Sequence, residues 1–248
     1  MNYDRAYRAS CLSAYAYATE EQVKKACKSI GLTGKLISKN GAEVLVARGG
    51  GELWFAFRGT QPDKLNDVMA DLNVIRNSSI AGGKVHTGFQ DEVNELWMDC
   101  LKEIENNNNL KKPKKLFFTG HSLGAAMATI AASRCSAEEL YTFGSPRVGG
   151  RKFTKNLDCP HYRFVNNNDI VCTVPPAILG FKHDGEKIYF NAYGQVRALT
   201  SWQRVKDFFR GIWSGWKQGK FLDMFTDHGI WNYIKNIEDN KDNFKVDE

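Results

Sequence analysis

"KLFFTGHSLGAAMA", residues 115–128, sets two phenylalanines before a glycine-flanked serine and a run of small residues after it. KLFFTG reads as a buried strand, and the small residues predict a helix over 123–137 able to lie close to a sheet. A serine where strand turns into helix, with Gly120 and Gly124 removing clashes around the bend, fits a strained turn that exposes a nucleophile. The competing reading is a glycine-rich turn whose serine caps the helix.

Around this join the pattern alternates. Helices are predicted over 4–17 and 20–30, then three strands in "GKLISKNGAEVLVARGGGELWFAFRGT", ending near Phe57. Asn40-Gly41 suits a type I′ turn, and residues 49–51 make a second turn. A further helix is predicted over 91–105, and "LYTFGS" and "HYRFV" read as strands. Strands interleaved with helices predict an α/β fold with a mostly parallel central sheet, helices on both faces, and one domain over residues 1–248.

Composition narrows the function classes. With 248 residues and 42% hydrophobic content the chain can bury one sizeable core. No apolar stretch is long enough to span a bilayer. The start carries an early acid and no long apolar run, so no secretory signal is read and a cytoplasmic or non-classically exported protein is expected. Six widely spaced cysteines without a C-x-x-C pair read as thiols, not as a metal cage. Net charge is +6 without a dense basic block, so nucleic acid is not an expected partner.

A serine needs a base to take its proton and a third group to hold that base. In a fold with such a strand–turn–helix nucleophile the partners follow in the order acid, then histidine. His86 and His121 come too early, His161 opens a strand at the wrong end, and His183 precedes Asp184-Gly185, a hairpin turn signal. His228, in "FTDHGIWNYI", is the expected base. Asp169 follows "HYRFV" at the strand end where open α/β sheets assemble their sites, although an Asx-turn role also fits it. Asp158 and Asp184 face the wrong way or belong to a turn. Oxyanion donors are expected at Leu123, directly after the serine, and at Thr60, at the end of "FAFRGT". The chemistry calls for no metal and no cofactor.

With these residues in place, the chain resembles the class 3 lipases, α/β-hydrolases that include fungal triacylglycerol lipases. The stretches that carry the resemblance are "FAFRGT", "VHTGF", "TGHSLGAAMA", "YTFGSPRVG", "NNNDIVCTVPP" and "DHGIWNY", in the family's order. It implies the nucleophile at Ser122, the acid at Asp169, the base at His228, oxyanion donors at Thr60 and Leu123, and a lipid or ester substrate. It also implies structural roles for His86 and His183.

The family places a mobile lid after the first oxyanion residue, here 61–72, where Leu65, Val68, Met69 and Leu72 recur at helical spacing. Without a large aromatic in that stretch, a fixed surface helix fits as well. Within a segment at about 199–226, Phe208, Phe209, Trp213 and Trp216 line one stripe, flanked by Arg204, Lys206, Arg210 and Lys217. That pattern suits a helix lying in an anionic membrane interface, a helix packed on the core, or one wall of an acyl pocket.

Overall fold

Strands with apolar residues on both faces must be covered on both sides, and the chain is arranged around that requirement. The computed structural model describes residues 1–60, 74–112, 114–167, 169–196 and 226–244. Strands β1 (Thr33–Lys39), β2 (Ala42–Gly49) and β3 (Glu52–Phe57) form the antiparallel meander that the turn dipeptides predict. Asn40 and Gly41 both take positive φ, 49° and 87°, as a type I′ turn requires. From β3 the sheet continues in parallel through β6 (Lys115–His121), β7 (Glu139–Phe143), β9 (His161–Asn166) and β11 (Glu186–Phe190). The order β1-β2-β3-β6-β7-β9-β11 is the mostly parallel α/β sheet expected.

Two neighbouring phenylalanines of β6 serve the two faces. Phe117 stacks on Trp54 with ring centroids 4.5 Å apart, and Phe118 stacks on Phe55 at 5.2 Å. The first face packs under α1 (Tyr3–Tyr15), α2 (Glu20–Ser29) and a C-terminal helix, Ile230–Asp239. The second packs under α3 (Thr87–Asn108) and α4 (Leu123–Ala132). Each such buried side chain contributes about 1.5–3 kcal/mol, so the β3–β6 pair is a stiff frame for what hangs from its ends.

Two helices and the number of sheets differ most from expectation. Helix α4 stops at Ala132 instead of 137, where Ser133 Oγ turns back to the Ile130 carbonyl at 2.7 Å. Helix α3 outruns 91–105 at both ends, and Asn107 closes the loop after it through two 2.9 Å bonds to the Lys114 backbone. The third difference is a second sheet. It contains β4 (Arg76–Ser78), β5 (Lys84–His86), β8 (Gly149–Gly150) and β10 (Phe181–Lys182), ordered β10-β8-β5-β4, with helix α5 (Arg151–Thr154) following β8. Strands this short carry no readable period. Asp184-Gly185 is consequently not a hairpin turn, because β10 belongs to this sheet and β11 to the main one. Arg163 Nε donates to the Asp184 carbonyl and His161 Nδ1 lies 3.2 Å from its carboxylate, which pins the crossing to the start of β9.

The predicted lid, with Leu65, Val68, Met69 and Leu72, lies outside the described residues. So does the aromatic stripe of Phe208, Phe209, Trp213 and Trp216. All six cysteines are described and are free thiols.

Candidate active site

Ser122 joins β6 to α4 with φ 60° and ψ −131°, a conformation that costs a side-chain-bearing residue about 1–3 kcal/mol. Its N–H donates to the Phe143 carbonyl at 3.0 Å and its own carbonyl accepts from Ala125 N–H at 3.0 Å. The hydroxyl makes no capping bond, which removes the helix-cap reading. The flanking glycines act differently from expectation. A Cβ at Gly124 would collide with the Phe57 carbonyl, and one at Gly120 with the Gly124 carbonyl. Their absence lets α4 press against β3 and β6; the serine itself is not what they clear.

Asp169 follows β9 and satisfies both readings, one per oxygen. Oδ1 accepts from Val171 N–H at 2.9 Å, the Asx turn, while Oδ2 accepts from His228 Nδ1 at 2.8 Å and from the Tyr233 hydroxyl at 2.5 Å. Burial pushes this carboxyl up, but the His228 imidazole and the Tyr233 hydroxyl outweigh it and hold it below the usual carboxylate range. A carboxylate only accepts, so Nδ1 carries a hydrogen and the neutral ring presents Nε2 as a bare acceptor. Among the described residues, His228 Nε2 and Ser122 Oγ are both buried without a hydrogen-bond partner.

His228 arrives in a tight turn, Thr226–His228, just before the C-terminal helix, now α6 (Ile230–Asp239). Asn166, the last residue of β9, holds this turn by donating from its side chain to the Asp227 carbonyl at 2.7 Å. Gly144 makes the room. It sits at φ 59°, and a Cβ there would stand 2.7 Å from Asp169 Oδ2 and 2.8 Å from His228 Nδ1.

His121, set aside in the sequence because it comes too early in the chain, is part of the scaffold. Its ring lies 4.5 Å from that of His228, and Nε2 donates to the His228 carbonyl at 2.6 Å. Nδ1 therefore accepts from the Tyr17 hydroxyl at 3.1 Å. Burial, then the neighbouring imidazole, push His121 down to about 3. The remaining histidines are structural. His161 bonds Thr142 Oγ1 at 2.8 Å, His183 donates to the Cys172 carbonyl at 2.7 Å, and His86 stacks on Phe89. Burial also pushes His183 down to about 3.

These two histidines predict acid sensitivity. Unfolded imidazoles take a proton near pH 6.5, whereas the folded ones wait until about 3, so stability is present above that window and is lost as pH falls through it. The slope is on the order of 1.4 kcal/mol per pH unit for each histidine. His121→Asn is expected to flatten the fall of Tm between neutral and mildly acidic pH; a curve parallel to wild type would contradict the assignment.

Directly after Ser122, Leu123 opens α4 with an N–H that has no acceptor inside the helix. The end of β3 abuts the same bend, since a Cβ on Gly124 would also stand 2.8 Å from Gly59 N. Thr60, half-buried, is the next residue.

Residues 54–179 match the family model for lipase (class 3). A lipase of Rhizomucor miehei is 34% identical over 175 residues, covering 63% of this chain and 48% of that protein. The native Rhizomucor miehei lipase propeptide complex is similar at a TM-score of 0.68 and 29% identity, covering 75% of this chain and 68% of that one. A triacylglycerol lipase structure, described as having its catalytic centre formed by a serine protease triad, has a TM-score of 0.63 at 29% identity, covering 75% of this chain and 79% of that one. This chain spans about half the length of the curated relatives it matches. Since the matched half of the chain contains the strained serine, the sheet order around it and Asp169, this chain belongs to the class 3 lipases.

Proposed function

We propose that this chain is a serine carboxyl-ester hydrolase, a lipase that cleaves glycerolipid esters through an acyl-enzyme. The observation that carries the reading is the pair of unpartnered buried atoms, Ser122 Oγ and His228 Nε2, beside a carboxylate that fixes the imidazole. Ser122 attacks the ester carbonyl while His228 takes its proton, and Asp169 supports the imidazolium that forms. Leu123 N–H and Thr60 hold the oxyanion, where one preorganised donor is worth about 3 kcal/mol of barrier. The imidazolium then protonates the leaving alcohol. Water, deprotonated by the same Nε2, releases the acid. The relatives' printed names favour lipid esters as the substrate class.

The test is labelling with a fluorophosphonate, read by mass spectrometry of the peptide containing Ser122, followed by hydrolysis of an ester series from acetate to oleate. Label on Ser122 with a preference for long acyl chains is expected. A preference for short or aromatic acyl groups would move the reading to a soluble esterase. An unlabelled protein would leave a lipid-binding protein of the same fold and overturn the proposal.

A further inference from the structure

The second sheet and its connections are built from residues 74–86, 145–157 and 170–183. These segments hold Arg76, Lys84, Arg147, Arg151, Lys152, Lys155 and Lys182, and no aspartate or glutamate. These seven positive charges exceed the +6 of the whole chain, so the remainder is close to neutral. Elsewhere several basic side chains are paired with acids among the described residues. Glu52 takes Arg5 and Arg8, Glu103 takes Lys35 and Arg48, and Glu43 takes Arg58. On this face no ion pair forms among the described residues. Arg76 donates to the Gly180 carbonyl at 3.1 Å, and Arg147 to the Thr173 and Pro175 carbonyls, so both keep their charge unneutralised. Lys84, Arg151, Lys152, Lys155 and Lys182 are exposed. Of the acids bordering these segments, Asp169 and Asp184 are turned toward His228 and His161, while Asp158 is exposed.

The same segments also expose large apolar side chains. Ile75 is 55% exposed, Ile80 77% and Ile178 93%. Arg76 joins two of these points, since its guanidinium lies 4.9 Å over Phe181 and bonds the residue after Leu179. The face is continuous with the candidate site at two places. Gly144, against which the acid–base pair packs, leads through Ser145 to Arg147 and β8, and Asp169 leads through Ile170–Thr173 to Ile178.

We infer that this sheet is an electrostatic docking face for an anionic lipid surface, with Ile80 and Ile178 entering the apolar layer and the lysines and arginines meeting the headgroups. Basic residues at such a surface each contribute roughly a fivefold gain in binding, and a scatter of them sums without one dense block. Projecting isoleucines gain nothing from bare phosphates but are solvated by acyl chains, which favours a lipid surface among the polyanions. Beyond those isoleucines, the choice of lipid rests on the proposed ester chemistry; the charge asymmetry does not.

Cosedimentation with vesicles of phosphatidylcholine alone, and with equal parts phosphatidylglycerol, tests the face. Wild type is expected to prefer the anionic vesicles and to lose that preference as salt is raised. The combined variant Lys84→Glu, Arg151→Glu, Lys152→Glu, Lys155→Glu is expected to bind anionic vesicles at least about 100-fold more weakly. Ile80→Ser with Ile178→Ser is expected to weaken binding without changing its salt dependence. The milder pair Lys152→Gln with Lys155→Gln, expected to lose roughly 20-fold, serves if the charge reversals do not fold. Fluorophosphonate labelling of Ser122 runs beside each assay. An unlabelled wild type that still sediments with anionic vesicles sinks the hydrolase reading and keeps the face. A labelled variant that binds like wild type, or wild type that binds duplex DNA as tightly as it binds vesicles, overturns the face.

Discussion

Ser122→Ala is expected to lower kcat on the preferred ester by roughly 10⁶-fold, His228→Ala by about as much, and the double variant by no more than either alone. The reason is that both residues act on one proton. On the proposed mechanism Oγ attacks only as Nε2 takes its proton, and among the described residues neither atom has a hydrogen-bond partner that would give it other work. Removing one leaves the other with nothing to do. Independent contributions would instead multiply, and the double variant would fall far below both. Stability moves the other way. The hydroxyl of Ser122 is buried and unpaired, so its loss removes a desolvation cost of about 1–3 kcal/mol, and the alanine inherits the same strained φ. Single-turnover kinetics and a melting curve on the same samples check both halves. A Ser122→Ala protein retaining a hundredth of wild-type activity would mean that another group attacks the ester.

The parts of this arrangement that could be read in advance are those written in local chemistry. An apolar run ending in a glycine-flanked serine fixes the strand, the bend and the helix together, because few other structures satisfy all three. Asn40-Gly41 announces its turn for the same reason. The order of the chain then leaves His228 as the histidine that comes after Asp169 at a suitable place. What stayed hidden depends on distant segments meeting. Tyr233 lies 64 residues from Asp169, and its place in the stripe of Ile230, Ile234 and Ile237 says only that it is buried. Nothing in that spacing tells a core aromatic from one whose hydroxyl meets a carboxylate. The second sheet is hidden twice over, by strands of two or three residues and by a positive face split over three separate segments. Its charge looks diffuse along the chain and becomes a surface only when β4, β5, β8 and β10 pair.

Asp169→Asn carries the other large effect, a loss of about 10⁴ in kcat with the fold retained. Each oxygen of Asp169 meets donors only: Val171 N–H on one, His228 Nδ1 and the Tyr233 hydroxyl on the other. An asparagine must turn its NH₂ to one side. Turned toward Val171 it opposes a buried N–H, costing about 1–3 kcal/mol. Turned toward His228 it donates to Nδ1, which drives the ring hydrogen to Nε2 and removes the acceptor that Ser122 needs. The second arrangement relieves the first at the expense of catalysis, and that is the predicted outcome. Tyr233→Phe separates charge from positioning. It deletes one donor to the carboxylate and the acceptor of Asn166 N–H, at 3.1 Å, but keeps the tautomer. Stability is expected to fall by about 1.5–3 kcal/mol, while kcat falls only roughly tenfold. The acid limb of the pH–rate profile is expected to move upward, because the Asp169 carboxyl loses one of the groups that hold it below the usual carboxylate range. Measured kcat against pH for both variants decides the matter. If Tyr233→Phe were as damaging as Asp169→Asn with an unmoved acid limb, the carboxylate would act by holding the ring in place and not through its charge.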